Sequence, residues 1–397
     1  MCRHRPAQGV ADGQAWRIAE SLLSCKRVRF VVRGLAGAEN IQCGPRAGVF
    51  LRTAIVFRRG AATPFRELTA GPMSVWIYKP SDDNAFDRGP MTILTVSHVT
   101  AYSYAAPVRL GEHRMMLRPR DSNDQRLLEA TLDIEPRPQS LRWIHDVFDN
   151  CVAIANFTGQ TRSLRVESNI ALDHTPFEGP EVLLEDRARH YPFAYDAEEI
   201  PDLARSIERH YADPAGDLDR WVQRFLQSGR RTETGTLLMT LTYAIKEGLS
   251  YKRRAAQGTQ SPLQTLAARS GSCRDFATLM MEAARALGLA ARFVSGYVYV
   301  PDRDAGEARL GGGSTHAWCQ IYLPGAGWVE FDPTNGIVGN RDLVRVAVAR
   351  EARQAVPLHG SYFGDPAAEA AMEISVNVRR RPEREPLSPL HVKAAGE

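Results

Sequence analysis

Residues 270–289 read SGSCRDFATLMMEAARALGL, and the interpretation of the whole chain turns on them. From Phe276 the apolar positions recur as Leu279, Met280, Ala283, Ala284 and Leu287, which is helical spacing, and Gly288 supplies a C-terminal stop. The pattern predicts an amphipathic helix with Cys273 in its first turn, directly after a loop of small residues. The unpaired N–H groups and the dipole at a helix N-terminus favour negative charge, and hence the thiolate form of a thiol placed there. A thiolate attacks carbonyl carbon; the competing reading is a buried structural cysteine.

Acyl chemistry at a cysteine needs a base to hold the thiol proton and a third group to fix the tautomer of that base. Downstream of the helix, HAWCQIYL begins with His316 and WVEFD ends with Asp332. The intervening PGAG is a tight turn, so the two runs form a β-hairpin. In the register that places Asp332 opposite Trp318, Asp332 and His316 become diagonal neighbours on one face. A slip of one residue would move Asp332 to the other face. Cys319 alternates away from His316 and reads as a packing residue.

Working outward, residues 92–175 break into short alternating runs, TILTVSHVTAYSY, LLEATLDIEP, WIHDVFDNCVAIANF and SLRVESNIAL, bounded by Gly, Pro, Asn or Asp. Such spacing predicts an antiparallel β-sandwich, assigned to residues 91–176. A Tyr- and Pro-rich connection leads to helical patterns near 217–227, 234–247 and 262–269, and then to the Cys273 helix and the strands. Helices followed by an antiparallel sheet make an α+β domain, assigned to residues 177–378, with LVRVAVA and MEISVNV completing its sheet. Residues 1–90 are Arg- and Gly-rich without lasting periodicity and are expected to be a disordered leader, or to precede a true start at Met73 or Met91. Residues 379–397, rich in Pro and charge, are expected to be a disordered tail.

The 397 residues carry a formal charge of +4, with 14 Lys/Arg against 7 Asp/Glu in residues 1–90 and 36 against 39 in the remainder. The body of the chain is near neutral, which argues against nucleic-acid binding. Six scattered cysteines without a CxxC pair exclude a disulfide framework and a zinc site and fit a reducing compartment. With neither a signal-peptide core nor an 18-residue apolar run, the expectation is a cytoplasmic protein without membrane contact. LGGGS at 310–314 leads into a strand and lacks the Lys-Ser/Thr of a phosphate loop. PDRDAGE has too few carboxylates for a calcium loop. No metal or other cofactor is expected.

The blocks SGSCRDFA, ARFVSGYV and STHAWCQIYLPGAGWVEFDPTNG resemble the core of the transglutaminase-like superfamily, whose cysteine, histidine and aspartate match Cys273, His316 and Asp332 in order and setting. YSYAAPVRLGEHRMMLRPRD resembles the N-terminal domain of bacterial transglutaminase-like proteins, so the likeness runs from about residue 92 to 378. It implies a papain-like α+β catalytic domain behind a β-rich one. It also implies cysteine-dependent acyl chemistry on peptide or isopeptide amides, of protease, amidase or transglutaminase type. A non-catalytic peptide-binding scaffold with the same fold is the alternative reading.

In the catalytic reading Cys273 is the nucleophile, His316 the general base and Asp332 its orienting group. The Cys273 N–H and Tyr251 are candidate oxyanion donors, and Trp318 and Trp328 candidate walls of the substrate cleft. Asp275, two residues beyond the thiol, opposes thiolate formation by its charge unless it complements the helix N-terminus or pairs with Arg274. The expected partner is a peptide or protein substrate, with a further protein partner docking on the β-rich domain.

Overall fold

The computed structural model describes residues 92–175, 184–227, 229–253, 258–300, 313–365 and 370–381, together with the backbone of five strands between residues 30 and 78. The chain divides into two compact units, Met1–Pro90 and Met91–Glu397. In the first, β1 (Phe30–Gly34), β2 (Gly37–Ile41), β3 (Val56–Phe57), β4 (Phe65–Ala70) and β5 (Met73–Tyr78) form an antiparallel sheet in the order β2-β1-β5-β4-β3. A segment expected to be an unstructured leader therefore contains strands. FVVRG and MSVWIY are rich in β-branched and aromatic residues, which suit a strand even where longer periodicity is absent. The rest of that expectation lies outside the described residues.

The second unit is organised around β6 (Thr92–Arg118), a strand of 27 residues. Its first half pairs with β10 (Thr161–His174), which also holds β7 (Gln125–Glu135). Its second half pairs with β9 (Cys151–Asn156), which holds β8 (Ser140–His145). One strand thus serves two sheets, and Val108, Leu110, Met115, Leu117, Ala153, Ala155, Leu164 and Val166 fill the space between them. This is the expected sandwich, with two corrections. WIHDVFDNCVAIANF is two strands and a turn, and MEISVNV does not join the downstream sheet. It lies in β21 (Ala370–Arg380), which pairs with β6 from Tyr104 to Leu94, while β20 (Leu358–Phe363) pairs with the other half of β6. The chain's last strands return to the sandwich, so the downstream domain ends near residue 355; alternation can reveal a strand but not which sheet receives it. Residues 382–397 of the expected tail lie outside the described residues.

Between the sandwich and the second sheet come β11 (His190–Tyr191), α1 (Ile200–Ile207), α2 (Asp217–Gln223), β12 (Thr232–Glu233), α3 (Thr234–Gly248), β13 (Ser250–Tyr251), α4 (Pro262–Ala268), β14 (Ser270–Gly271) and α5 (Cys273–Ala286). Three of the helices coincide with the helical patterns; α1, hidden in the Tyr/Pro-rich connection, starts with Pro near its first position, where a missing N–H costs nothing. The second sheet runs β18-β17-β16-β15-β19, from β15 (Ala291–Val298), β16 (His316–Leu323), β17 (Gly327–Asp332), β18 (Ile337–Val338) and β19 (Leu343–Ala349).

Both faces of this sheet are covered. On one, Phe276, Leu279, Met280 and Ala283 of α5 meet Phe293, Cys319, Ile321 and Phe331. On the other, Tyr297, Val344 and Val346 pack on Leu94, Val96, Ile170 and Leu172 of the sandwich. Double-sided burial explains why HAWCQIYL is apolar nearly throughout rather than alternating. Side-chain amides lock the two layers together. Gln125 donates from Nε2 to the Arg345 carbonyl at 2.8 Å and accepts from its N–H at 2.9 Å, and Asn150 grips Val348 in the same way at 2.6 and 2.9 Å.

Candidate active site

The Cys273 helix begins where a short parallel bridge fastens the chain. Ser250 and Tyr251 pair with Ser270 and Gly271, and the Lys252 N–H donates to the Gly271 carbonyl at 2.8 Å. Gly271 has to be small, because a Cβ there would stand 2.8 Å from the Cβ of Asp275. Asp275 is wholly buried and accepts from the Ser272 N–H at 2.8 Å, the Ser272 hydroxyl at 2.9 Å and the Gln260 N–H at 2.7 Å. Its carboxylate thus belongs to the helix cap, where three donors converge on it. It thus complements the helix N-terminus, and its charge also acts on the neighbouring Arg274. Cys273, 7 % exposed, follows this cap directly.

The β16–β17 hairpin has the register expected for it. Cys319 lies opposite Phe331 and Leu323 opposite Gly327, so continuing the ladder sets Asp332 opposite Trp318. His316 Nε2 and Asp332 Oδ2 are 2.8 Å apart and both side chains are fully buried. A carboxylate only accepts, so Nε2 carries a proton and Nδ1 is the nitrogen turned away from Asp332. Nδ1 is buried, and Cys273 is the group that interacts with the ring besides Asp332. Burial alone would pull the imidazole's pKa down, but the charges of Asp332 and Cys273 beside it prevail and raise it. Cys273 is therefore within electrostatic reach of the ring.

Asp332 is itself held. Burial favours its neutral form, yet the charge and hydrogen bond of His316, with donors from Asn335 and Thr334, keep its carboxyl below the usual range. Asn335 donates from Nδ2 to Oδ2 at 2.8 Å, while the N–H groups of Thr334 and Asn335 reach Oδ1 at 2.9 and 3.3 Å. Asn335 is the residue that sequence reasoning missed. Its signal is DPTN, an aspartate that ends a strand and opens a turn whose fourth residue folds back on it.

Tyr251 lies near Cys273, in the short bridge that precedes the helix. Its ring packs edge-on to Phe276 at 6.4 Å, and burial, with the nearby charges of Cys273 and Asp332, raises its pKa and keeps it a donor. Trp318 is not a cleft wall. Trp318 is 0 % exposed and stacks behind His316, with ring centroids 5.9 Å apart, among Val294, Val298, Ile337 and Leu343. It supports the imidazole from the core. Trp328 pairs with Tyr322 at the turn end of the hairpin, under the guanidinium of Arg292 at 4.1 Å, about 13 Å along the strand from Asp332 at 3.3 Å per residue. Cys319 is buried, its thiol pKa raised by burial, and it donates to the Phe331 carbonyl at 3.5 Å, a packing role.

Among the described residues no cluster of three or more His, Cys, Asp or Glu is arranged to hold a metal, and no helix is long and apolar enough to cross a membrane.

Comparison with known proteins agrees with this architecture. Residues 94–173 match the bacterial transglutaminase-like N-terminal region and residues 220–333 match the transglutaminase-like superfamily. An uncharacterized protein of Mycobacterium tuberculosis is 27% identical over 303 residues, spanning 71% of this chain and 91% of its own length. One from Mycobacterium leprae is 25% identical over 287 residues, spanning 72% and 98%. Among solved structures, a candidate cysteine protease from Cytophaga hutchinsonii aligns with a TM-score of 0.54 at 18% identity, covering 76% of this chain and 94% of that one, a likeness of fold. Residues 220–333 thus carry a transglutaminase-like core of helices and sheet, preceded at 94–173 by the β-rich N-terminal region of bacterial transglutaminase-like proteins.

Proposed function

We propose that the protein performs cysteine-dependent acyl chemistry on peptide or isopeptide amides, with Cys273 as nucleophile, His316 as general base and then acid, and Asp332 as the group that orients and charges the imidazole. The observation that carries this reading is the buried 2.8 Å contact between His316 Nε2 and Asp332 Oδ2, which leaves Nδ1 to take the proton of a cysteine at a helix N-terminus and lets the carboxylate stabilise the charged ring that results. In the first half-reaction the Cys273 proton passes to Nδ1 and sulfur adds to the amide carbon. The N–H of Cys273 and the hydroxyl of Tyr251 would then be the donors that steady the oxyanion. Collapse breaks the C–N bond, His316 returns the proton to the departing amine, and a thioester remains. Water then gives hydrolysis and a primary amine gives transamidation. The described thiols Cys151, Cys273 and Cys319 are free, which supports a reducing, cytoplasmic setting.

The test is mass spectrometry of a glutamine-containing peptide library incubated with the protein, with and without a primary amine, beside Cys273→Ala. Amine adducts indicate transamidation; cleaved or deamidated peptides indicate hydrolysis. Wild type and variant that behave alike on every peptide would replace this reading with the scaffold reading, and peptide binding would then be the property to measure.

A further inference from the structure

A second cysteine, histidine and aspartate lie in series on the β8–β9 hairpin of the sandwich. His145 ends β8 and Cys151 begins β9, and they are directly opposite in the ladder. Cys151 Sγ is 4.0 Å from His145 Nε2, and His145 Nδ1 is 2.7 Å from Asp149 Oδ1. Because the carboxylate can only accept, the Nδ1 proton points at Asp149 and the Nε2 lone pair faces the sulfur. This is the polarity of a thiol with its base, using the opposite ring nitrogen from His316.

The turn is built to hold that order. Asp149 has a positive φ of 63°, which folds its carboxylate back toward His145, and Arg120 fixes the other oxygen at 2.6 Å. Asp146 caps the turn by accepting from the N–H groups of Phe148 and Asn150 at 2.9 and 2.8 Å, and Asn150 anchors it to β19. On its other side Cys151 faces Arg118 across the ladder. The thiol therefore has a histidine base beside it across the hairpin, a setting in which cysteines react. Unlike Cys319, it is partly open to solvent, and the His145 side chain is 61% exposed. The three groups follow one another instead of converging on a point, so the arrangement suits proton transfer and not a metal.

We infer that Cys151 is a second nucleophilic thiol of this protein, one that exchanges with small disulfides. In that step the Cys151 proton moves to His145 Nε2 and sulfur attacks one sulfur of the disulfide. A new protein–small-molecule S–S bond forms as the old one breaks, and the departing thiolate takes the proton from His145. One protein thiol and one disulfide yield one mixed disulfide and one small thiol, with no outside oxidant. The adduct would sit one residue from the Asn150 anchor that ties the sandwich to the second sheet.

The experiment uses the full chain with Cys273→Ala, so that the other candidate nucleophile is absent and the result does not depend on the proposed function. The protein is mixed with a dithiodipyridine probe, release of the chromophore is followed in time, and the labelled thiol is located by peptide mapping. Cys151 should be labelled in the fastest phase. His145→Ala should slow that phase about ten-fold, a modest share of what a positioned base can supply, and free imidazole should restore part of the rate. Asp149→Asn should slow it less and alter its pH profile. An unchanged urea midpoint would show that the variants fold. A fast phase on another cysteine, or a Cys151 rate insensitive to His145→Ala, would overturn the inference.

Discussion

Asp332 holds His316 through a 2.8 Å hydrogen bond from Nε2 to Oδ2, and neither side chain is reached by solvent. A neutral amide in place of the carboxylate can offer the ring its NH2 group, which turns the imidazole to the wrong tautomer and removes the charge that stabilises its protonated form. Asp332→Asn should therefore keep the fold and lower turnover on any substrate found for the protein by about 10⁴-fold. A loss under ten-fold, measured by single-turnover kinetics, would remove Asp332 from the mechanism.

The same pair makes stability depend on pH in a defined direction. The folded-state pKa of His316 is raised, so its contribution is complete below the ordinary histidine pKa of about 6.5 and declines as pH rises toward the folded value. Asp332 is depressed, so its contribution is complete above the ordinary value of 3.8 and is lost as pH falls through the folded one. Urea midpoints at pH 6 and pH 9 should show wild type losing more stability than His316→Gln over that interval. Parallel behaviour would mean that the imidazole is not held charged.

Asn335 supplies a donor to a carboxylate that has no access to water. Asn335→Ala should cost about 1.5–3 kcal/mol in urea unfolding, the range for a hydrogen bond to a charged group, and should slow any Cys273-dependent reaction by loosening the carboxylate. A change below about 0.5 kcal/mol, within what a neutral surface site shows, would mean that other donors replace it.

Gly296 marks where β15 passes β19. A Cβ there would stand 2.0 Å from the Val344 carbonyl oxygen and 2.7 Å from Cη2 of Trp318, so both sheet pairing and the support behind His316 would have to move. Gly296→Ala should destabilise by about 2–3 kcal/mol, as overpacked cores do. Thermal unfolding of the variant at the wild-type midpoint would contradict this close approach.

Glu282 and Arg285 form a buried ion pair at 2.8 Å, with Arg285 also donating to the carbonyls of Ser206, Ala291 and Arg350 at 3.0, 2.8 and 2.9 Å. Removing Arg285 strands a carboxylate in the interior, so Arg285→Met should cost about 3–5 kcal/mol. Glu282→Leu added to it should recover part of that loss. A double-mutant cycle with additive costs would show the two side chains acting independently.

The candidate site was legible because its parts are local patterns. Cys273 announces itself by the helix that starts with it, and the short PGAG turn between two strands leaves few registers in which Asp332 can face His316. Asn335 escaped because its role exists only once Asp332 is seen to open the turn that brings Asn335 back. Trp318 misled for a related reason. Two residues from His316, it shares that face of the strand, and only the apolar side chains gathered over this face place it in the core.

What the amino-acid order determined by itself was the set of elements with short-range causes: helices α2–α5 from their spacing, the hairpin from its turn, and the order of Cys273, His316 and Asp332 along the chain. Only the tertiary structure decided which strands share a sheet. It showed that β6 serves two sheets, that β20 and β21 return across more than 240 residues to pair with it, and that Cys151 lies beside His145 across the β8–β9 hairpin. The physical reason is that a strand's hydrogen bonds are satisfied by any edge of matching length, so its partner is selected by long-range packing of the side chains and not by its own residues.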